Sequence, residues 1–369
     1  KISLSALKPV MKSLTIQEVV LINFKNYADA RFSLGGKFNL ISGLNGMGKT
    51  NLLDAVYYLS VGKSYFTPYD QRVVRQEESF FRLEANVLKD DIVHKLVMKV
   101  RPGSTKELVL DHIAIPRISE HLGYIPVVFS APRDIDLVLG SSQTRRRYID
   151  HLLCQVDHDY LRALVTYNHL LEMRTAALKQ GFADLAGVIA TYDEQMSPMA
   201  ALIYEKRKWV VDVFAPLIRE TYLNLSENRE SIDLQYESGL HEYPYHVLAD
   251  MNWEADKNTG RSNAGIHKDD YKLSIKNMPA KEYGSQGQIK SLIFALHLSK
   301  YNILRNQSGY KPLLILDDIF DKLDERRLHR LMEILMAPDF GQIFISDTSS
   351  KRFTGFLPAD LLHSIEMTP

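Results

Sequence analysis

The chain has 369 residues, 45% of them apolar, and 45 basic side chains balance 45 acidic ones to a formal net charge of zero. This supports one large domain or two smaller ones and excludes disorder over most of the length. One cysteine, Cys154, excludes an intramolecular disulfide and fits a reducing cytoplasm. No stretch approaches the roughly 18 uninterrupted apolar residues of a membrane span. Zero net charge argues mildly against nucleic-acid binding, unless charge is segregated or a dimer joins two modest patches. Lys1 to Pro9 lacks the basic start and long apolar run of a signal peptide. Met11 reads as a natural start, and residues 1–10 are set aside.

Residues 13–42 alternate as strands, with Leu14, Ile16, Val19 and Leu21 on one ribbon and Phe38, Leu40 and Ile41 on a second. A glycine-rich loop at 43–48 leads into a helix over Asn51–Ser60, with Leu52, Leu53, Val56 and Leu59 on one side. Residues 80–115 read as strand hairpins with turns near Asp90-Asp91 and Pro102-Gly103. Val127, Val128 and Phe129 form a short buried strand. From residue 141 to about 230 the pattern is helical, without the sustained heptads of a long coiled coil. Strand and turn signals return at 231–280. A helix (Gln286–Leu304), an apolar strand (Leu313–Leu316), a helix (Glu325–Met336) and a strand (Ile343–Ser346) follow, which implies a partly parallel sheet.

Gly43-Leu44-Asn45-Gly46-Met47-Gly48-Lys49-Thr50 fits the phosphate-loop pattern between a strand and a helix. Its glycines let backbone N–H groups turn toward phosphate oxygens, and the helix start adds partial positive charge. Lys49 reaches the β/γ-phosphates, and Thr50 offers a hydroxyl to Mg²⁺. Leu313 to Leu316 is an apolar run ending in Asp317 and Asp318, placing two carboxylates at a strand's C-terminal edge. Asp317 is the expected Mg²⁺ ligand and Asp318 the group that orients or deprotonates an attacking water. Tyr283-Gly284-Ser285-Gln286-Gly287-Gln288 precedes a helix. Alone it reads as a capping box of Ser285 with Gln288. In order with the phosphate loop and the acidic strand, it resembles the signature of ABC ATPases. That resemblance implies that Ser285, Gly287 and Gln288 contact the γ-phosphate of nucleotide held by a second copy. Asp321–Asp324 resembles the D-loop, and Asp347 stands where such enzymes carry a switch histidine.

Further segments resemble the RecF family. They are Asn23-Phe24-Lys25-Asn26-Tyr27, the run from Asn45 through Asn51 to Ala55, Gly62–Thr67, Val127–Val138, Arg145-Arg146-Arg147-Tyr148-Ile149-Asp150 and Gly265–Asp270. The likeness runs from about residue 13 to 350, with the motifs in order. Ile266 and Lys268 depart from the family's proline and arginine, and Glu172–Thr175 is an altered segment. Asp318 stands where most ABC enzymes have Glu, so slow, switch-like hydrolysis is expected.

The resemblance implies an α/β fold, an ABC-type P-loop ATPase head with a mid-chain helical lobe. Residues 11–140 and 256–369 are expected to build the ATPase lobe and 141–255 the helical one. Lys25 and Asn26 join the expected ATP contacts. It also implies an ATP-dependent homodimer acting on double-stranded and gapped DNA in replication, recombinational repair and the SOS response, with RecR/RecO-type mediators, in the cytoplasm. Arg145, Arg146 and Arg147 could serve DNA phosphates or pack internally; His267, Asp269 and Asp270 could touch the nucleotide edge or brace the lobes. Lys206-Arg207-Lys208 reads as a solvated helix face. An SMC- or Rad-like head with long coiled coils is disfavoured by the short middle section, and a nuclease-coupled or phage-defence ATPase by the short C-terminal remainder. A transporter subunit lacks the 23–27 and 127–150 blocks, and a small-molecule kinase has no use for 283–288.

Overall fold

The computed structural model describes residues 11–180, 183–226, 230–319, 325–349, 353 and 356–367. Packing divides the chain into two compact units. One is made of the two chain ends, up to Arg133 and from Lys300 onward; the other is Asp134–Ser299. The strands of the first half are β1 (Leu14–Phe24), β2 (Tyr27–Ser33), β3 (Phe38–Ser42), β4 (Phe81–Lys89), β5 (Ile92–Val100), β6 (Glu107–Leu110), β7 (Ile113–Ala114) and β8 (Val127–Ser130). Then come β9 (Ile232–Glu237), β10 (Asp270–Ile275), β11 (Met278–Pro279), β12 (Leu313–Asp317), β13 (Ile343–Asp347) and β14 (Leu362–Glu366).

The first unit holds two sheets. An antiparallel one runs β2-β1-β4-β5-β6-β7. A parallel one runs β14-β3-β13-β12-β8. In β1 the buried residues change parity, from Leu14 and Ile16 to Val19 and Leu21, because the pairing with β4 shifts register between Ile16 and Glu18. An extra residue there turns both pairs to the same face. Helix α1 (Lys49–Val61) packs against β1 and β4 on one side and β8, β12 and β13 on the other. It is therefore buried nearly all round, not on one side as its leucine spacing suggests. Its leucines join one core with Phe24, Phe81, Leu83, Met98 and Phe344.

The second unit contains α2 (Ser142–Val156), α3 (His158–Gln180), α4 (Leu185–Leu225), the sheet β11-β10-β9, and the start of α5 (Gln286–Ser308). The antiparallel pairing of β10 with β9 draws residues 256–299 into this unit, although the sequence assigns them to the ATPase lobe. The expectation of a solvated basic face at 206–208 is corrected at its centre. Arg207 is 1% exposed, because helical spacing stacks it with the buried Ile203, Val210 and Phe214. Its guanidinium is neutralised by Asp150 (2.9 Å) and Asp269 (2.7 Å). Among the described residues no helix is long and apolar enough to cross a membrane.

Candidate active site

Parallel pairing levels the C-terminal ends of three strands. Ser42 of β3 is in register with Asp347, and Ser346 of β13 with Asp317 of β12. The phosphate loop leaves β3 at this edge and the acidic pair leaves β12, with β13 between them. Gly43, Gly46 and Gly48 have φ of 147°, 85° and 96°. At Gly48 a Cβ would also lie 2.7 Å from Asn26 Nδ2 and from the Tyr27 hydroxyl oxygen, so only glycine fits. Asn26 accepts a hydrogen bond from Asn51 Nδ2 (2.7 Å), and the Tyr27 hydroxyl donates to the Gly48 carbonyl (3.1 Å). The Asn23–Tyr27 segment thus braces the loop and the first turn of α1. The N-terminus of α1 has no side-chain cap and no acidic residue in its first turn. A helix start of this kind can receive an external anion. Asn45 and Gly46 lie exposed at the tip of the loop.

Lys49 is buried and donates to the carbonyls of Gly43 (2.6 Å) and Leu44 (2.9 Å). Thr50 Oγ1 donates to Asp317 Oδ1 at 3.0 Å, so the two residues expected to hold Mg²⁺ meet across 267 positions of sequence. Ser346 Oγ donates to the same Oδ1 at 2.7 Å and accepts the Asp318 N–H at 2.9 Å. Burial pushes the Asp317 carboxyl up, against the pull of the Ser346 and Thr50 hydroxyls. A buried carboxylate with a hydroxyl beside it and an elevated pKa suits a divalent cation, which would supply the missing positive charge. Asp318 has φ of 49°, a left-handed conformation that Asp tolerates and most residues do not. Asp347 is buried and accepts the Ser349 N–H at 2.9 Å, which ties down the turn after β13. The D-loop segment Asp321–Asp324 lies outside the described residues.

Lys25 is ion-paired with the buried Asp54 at 2.6 Å. Asp54 also accepts from Ser64 Oγ (2.6 Å) and the Tyr65 N–H (2.7 Å). Lys25 thus stitches the 23–27 segment to α1 and to the Gly62–Thr67 segment. The sequence reading missed Ser346 and Asp54. The strand order would have exposed Ser346, since a residue level with Asp317 on the neighbouring strand must lie beside it.

In the second unit, Ser285 N–H donates to Gln288 Oε1 (2.7 Å) and Gln288 N–H to Ser285 Oγ (3.3 Å), a reciprocal capping box at the start of α5. Ser285 is exposed and Gly287 half-buried beside it. Arg145 forms a two-pronged pair with Asp270 (2.8 and 3.0 Å), and Arg146 donates to the Asp269 carbonyl (2.5 Å). Only Arg147 of the triplet is exposed. Of the two readings of this triplet, internal packing describes Arg145 and Arg146. His267 meets the Tyr167 hydroxyl (2.9 Å) and the Ser262 carbonyl (3.0 Å), and burial depresses its pKa to about 4. These partners lie within the middle unit, as do Arg207 and Arg145, which pair with Asp269 and Asp270.

A glycine loop opening a helix after a parallel strand, a hydroxyl–carboxylate pair at the sheet edge and a serine-capped helix downstream define an ABC-type P-loop ATPase. A family model described as an AAA domain matches residues 18–115. The DNA replication and repair protein RecF of Flavobacterium johnsoniae is 38% identical over 340 residues, 91% of this chain and 95% of the relative. That of Cytophaga hutchinsonii is 36% identical over 352 residues, 94% and 92% of the two chains. A solved structure of the recombination mediator protein RecF with ATP, in the RecFOR pathway, superposes with a TM-score of 0.87 at 25% identity, covering 96% of both chains. An Smc head from Pyrococcus furiosus shares the fold alone, at a TM-score of 0.54 and 15% identity. The chain belongs to the RecF family of DNA replication and repair proteins.

Proposed function

We propose that this chain is an ATP-gated DNA-binding switch of replication and recombinational gap repair. Two copies close on two ATP molecules, and slow hydrolysis releases them. The reading rests on one observation, the relay Thr50–Asp317–Ser346–Asp318 at the sheet edge. It sets a cation-binding pair one residue from a carboxylate able to orient water. Lys49 and the N-terminus of α1 bind the β- and γ-phosphates, with Gly43, Asn45, Gly46, Gly48 and Asn51 shaping the cradle. Thr50 and Asp317 hold Mg²⁺, which supplies charge neutralisation to the phosphates. Asp318 orients the attacking water, and its short side chain sets it back from the phosphorus, which favours slow turnover. Ser285, Gly287 and Gln288 engage the γ-phosphate held by the other copy. Arg147 contributes to a DNA surface that becomes sufficient only in the dimer, since one chain carries no net charge. RecO- and RecR-like mediators, gapped duplex substrates, a role in the SOS response and a cytoplasmic setting follow by family kinship.

The test is solution mass with ATP and Mg²⁺, using Asp318→Asn to trap the bound state. Asn also tolerates the positive φ of this position. Hydrolysis should fall by about 10²–10⁴-fold. The mass should shift from 42.2 kDa to twice that, and the shift should be lost in Lys49→Ala and Ser285→Arg. A chain that binds ATP yet stays monomeric in the trapped variant refutes the switch.

A further inference from the structure

The Gln288 side chain is held at both ends. Its Oε1 accepts the Ser285 N–H, and its Nε2 donates to Glu230 Oε1 at 2.7 Å. Glu230 stands just before β9, far from the signature in sequence. Its other oxygen accepts from the Tyr222 hydroxyl at 2.9 Å, and Lys276, in the turn between β10 and β11, pairs with Glu230 Oε1 at 3.2 Å. Burial opposes ionisation here, but the bonds from Gln288, Tyr222 and Lys276 outweigh it and hold the carboxyl below its usual range. Glu230 is therefore an ionised, acceptor-only group.

That chemistry decides a two-fold ambiguity. A glutamine amide turns over about its last torsion at little intrinsic cost. In the reversed orientation, Nε2 would face the Ser285 N–H, donor against donor, and Oε1 would face the carboxylate, acceptor against acceptor. Only the observed orientation satisfies both neighbours. We propose that Glu230 is a positioning residue of the signature: by accepting from Gln288 it locks the amide, and through it the Ser285 turn, in the geometry that engages a second copy's ATP. The inference rests on the reading of Ser285 as a contact made across the dimer.

Complementation separates this role from a purely structural one. In a mixed dimer, Lys49→Ala brings an intact signature and Glu230→Ala an intact phosphate loop, so one of the two composite sites is whole. Glu230→Ala alone should reduce the ATP-bound dimer about tenfold while its protomer binds ATP with unchanged affinity. Mixing with Lys49→Ala should restore dimer to the level reached by a Ser285→Arg and Lys49→Ala mixture. Glu230→Gln keeps a carbonyl acceptor toward Gln288 and Lys276 and should retain at least half of the wild-type dimer. Wild-type dimerisation of Glu230→Ala overturns the proposal. So does a defect that Lys49→Ala fails to complement where it complements Ser285→Arg, because the damage is then global. If Ser285→Arg alone dimerises normally, the trans reading itself falls, whatever Glu230 does.

Discussion

The two units of this chain treat charge in opposite ways. In the unit built from the chain ends, the site's charged groups are met by neutral ones. The N-terminus of α1 has no side-chain cap, Lys49 donates to loop carbonyls, and Asp317 is buried against hydroxyls. In the middle unit, charges are consumed internally. Arg207 is paired with Asp150 and Asp269, Arg174 with Asp193 and Asp256, and Arg145 with Asp270. A group that its own protein leaves under-satisfied is available to a ligand, whereas one already paired holds the fold. A buried cation, Lys49 or Arg207, belongs to either class according to its partners.

The sharpest way to break this contrast is to remove one cation from each unit. Arg207→Ala leaves Asp150 and Asp269 facing each other's field, and should cost about 3–5 kcal/mol of stability. Lys49→Ala strands no buried carboxylate, so its melting temperature should change little while ATP affinity collapses. Thermal unfolding and nucleotide titration of both variants check this. Equal destabilisation by the two would erase the distinction.

The sequence made the first unit's site legible because that site is local and ordered. A glycine loop and lysine within eight residues, and two acids after an apolar run, carry their chemistry in plain spacing. What the sequence hid is set by partners that arrive from far away. Arg145 and Arg146 look the same in a string whether they face solvent or the carboxylate and carbonyl of residues more than a hundred positions later. Ser346 matters only because β13 lies between β3 and β12. Glu230 matters only because Gln288 meets it. The one-residue shift in β1 was written in its change of apolar parity, but its pairing partner was not.

A smaller effect divides the arginine triplet itself. Arg145→Ala should destabilise the middle unit by about 2 kcal/mol, the usual loss for a charge-assisted pair. Arg147→Ala should leave stability unchanged. If Arg147 meets a DNA phosphate, its removal lowers the salt dependence of duplex binding by about one ion. An unaltered salt slope in Arg147→Ala removes it from the DNA surface.

The gentlest probe is pH. His267 is neutral in the fold, with its pKa depressed to about 4 by burial from an ordinary 6.5. Between those values the unfolded chain binds a proton that the folded one refuses. His267 therefore makes stability fall as pH drops from 6.5 toward 4, by up to about 1.4 kcal/mol per pH unit, and contributes no slope above 6.5. His267→Gln offers the same kinds of hydrogen bond to Tyr167 and Ser262 without a titrating group. Its stability, measured by denaturant unfolding across this window, should fall less steeply than that of the parent. Parallel curves would mean that the middle unit admits the proton without loss, and that its internal pairing is looser than the geometry of Arg174, Arg207 and His267 requires.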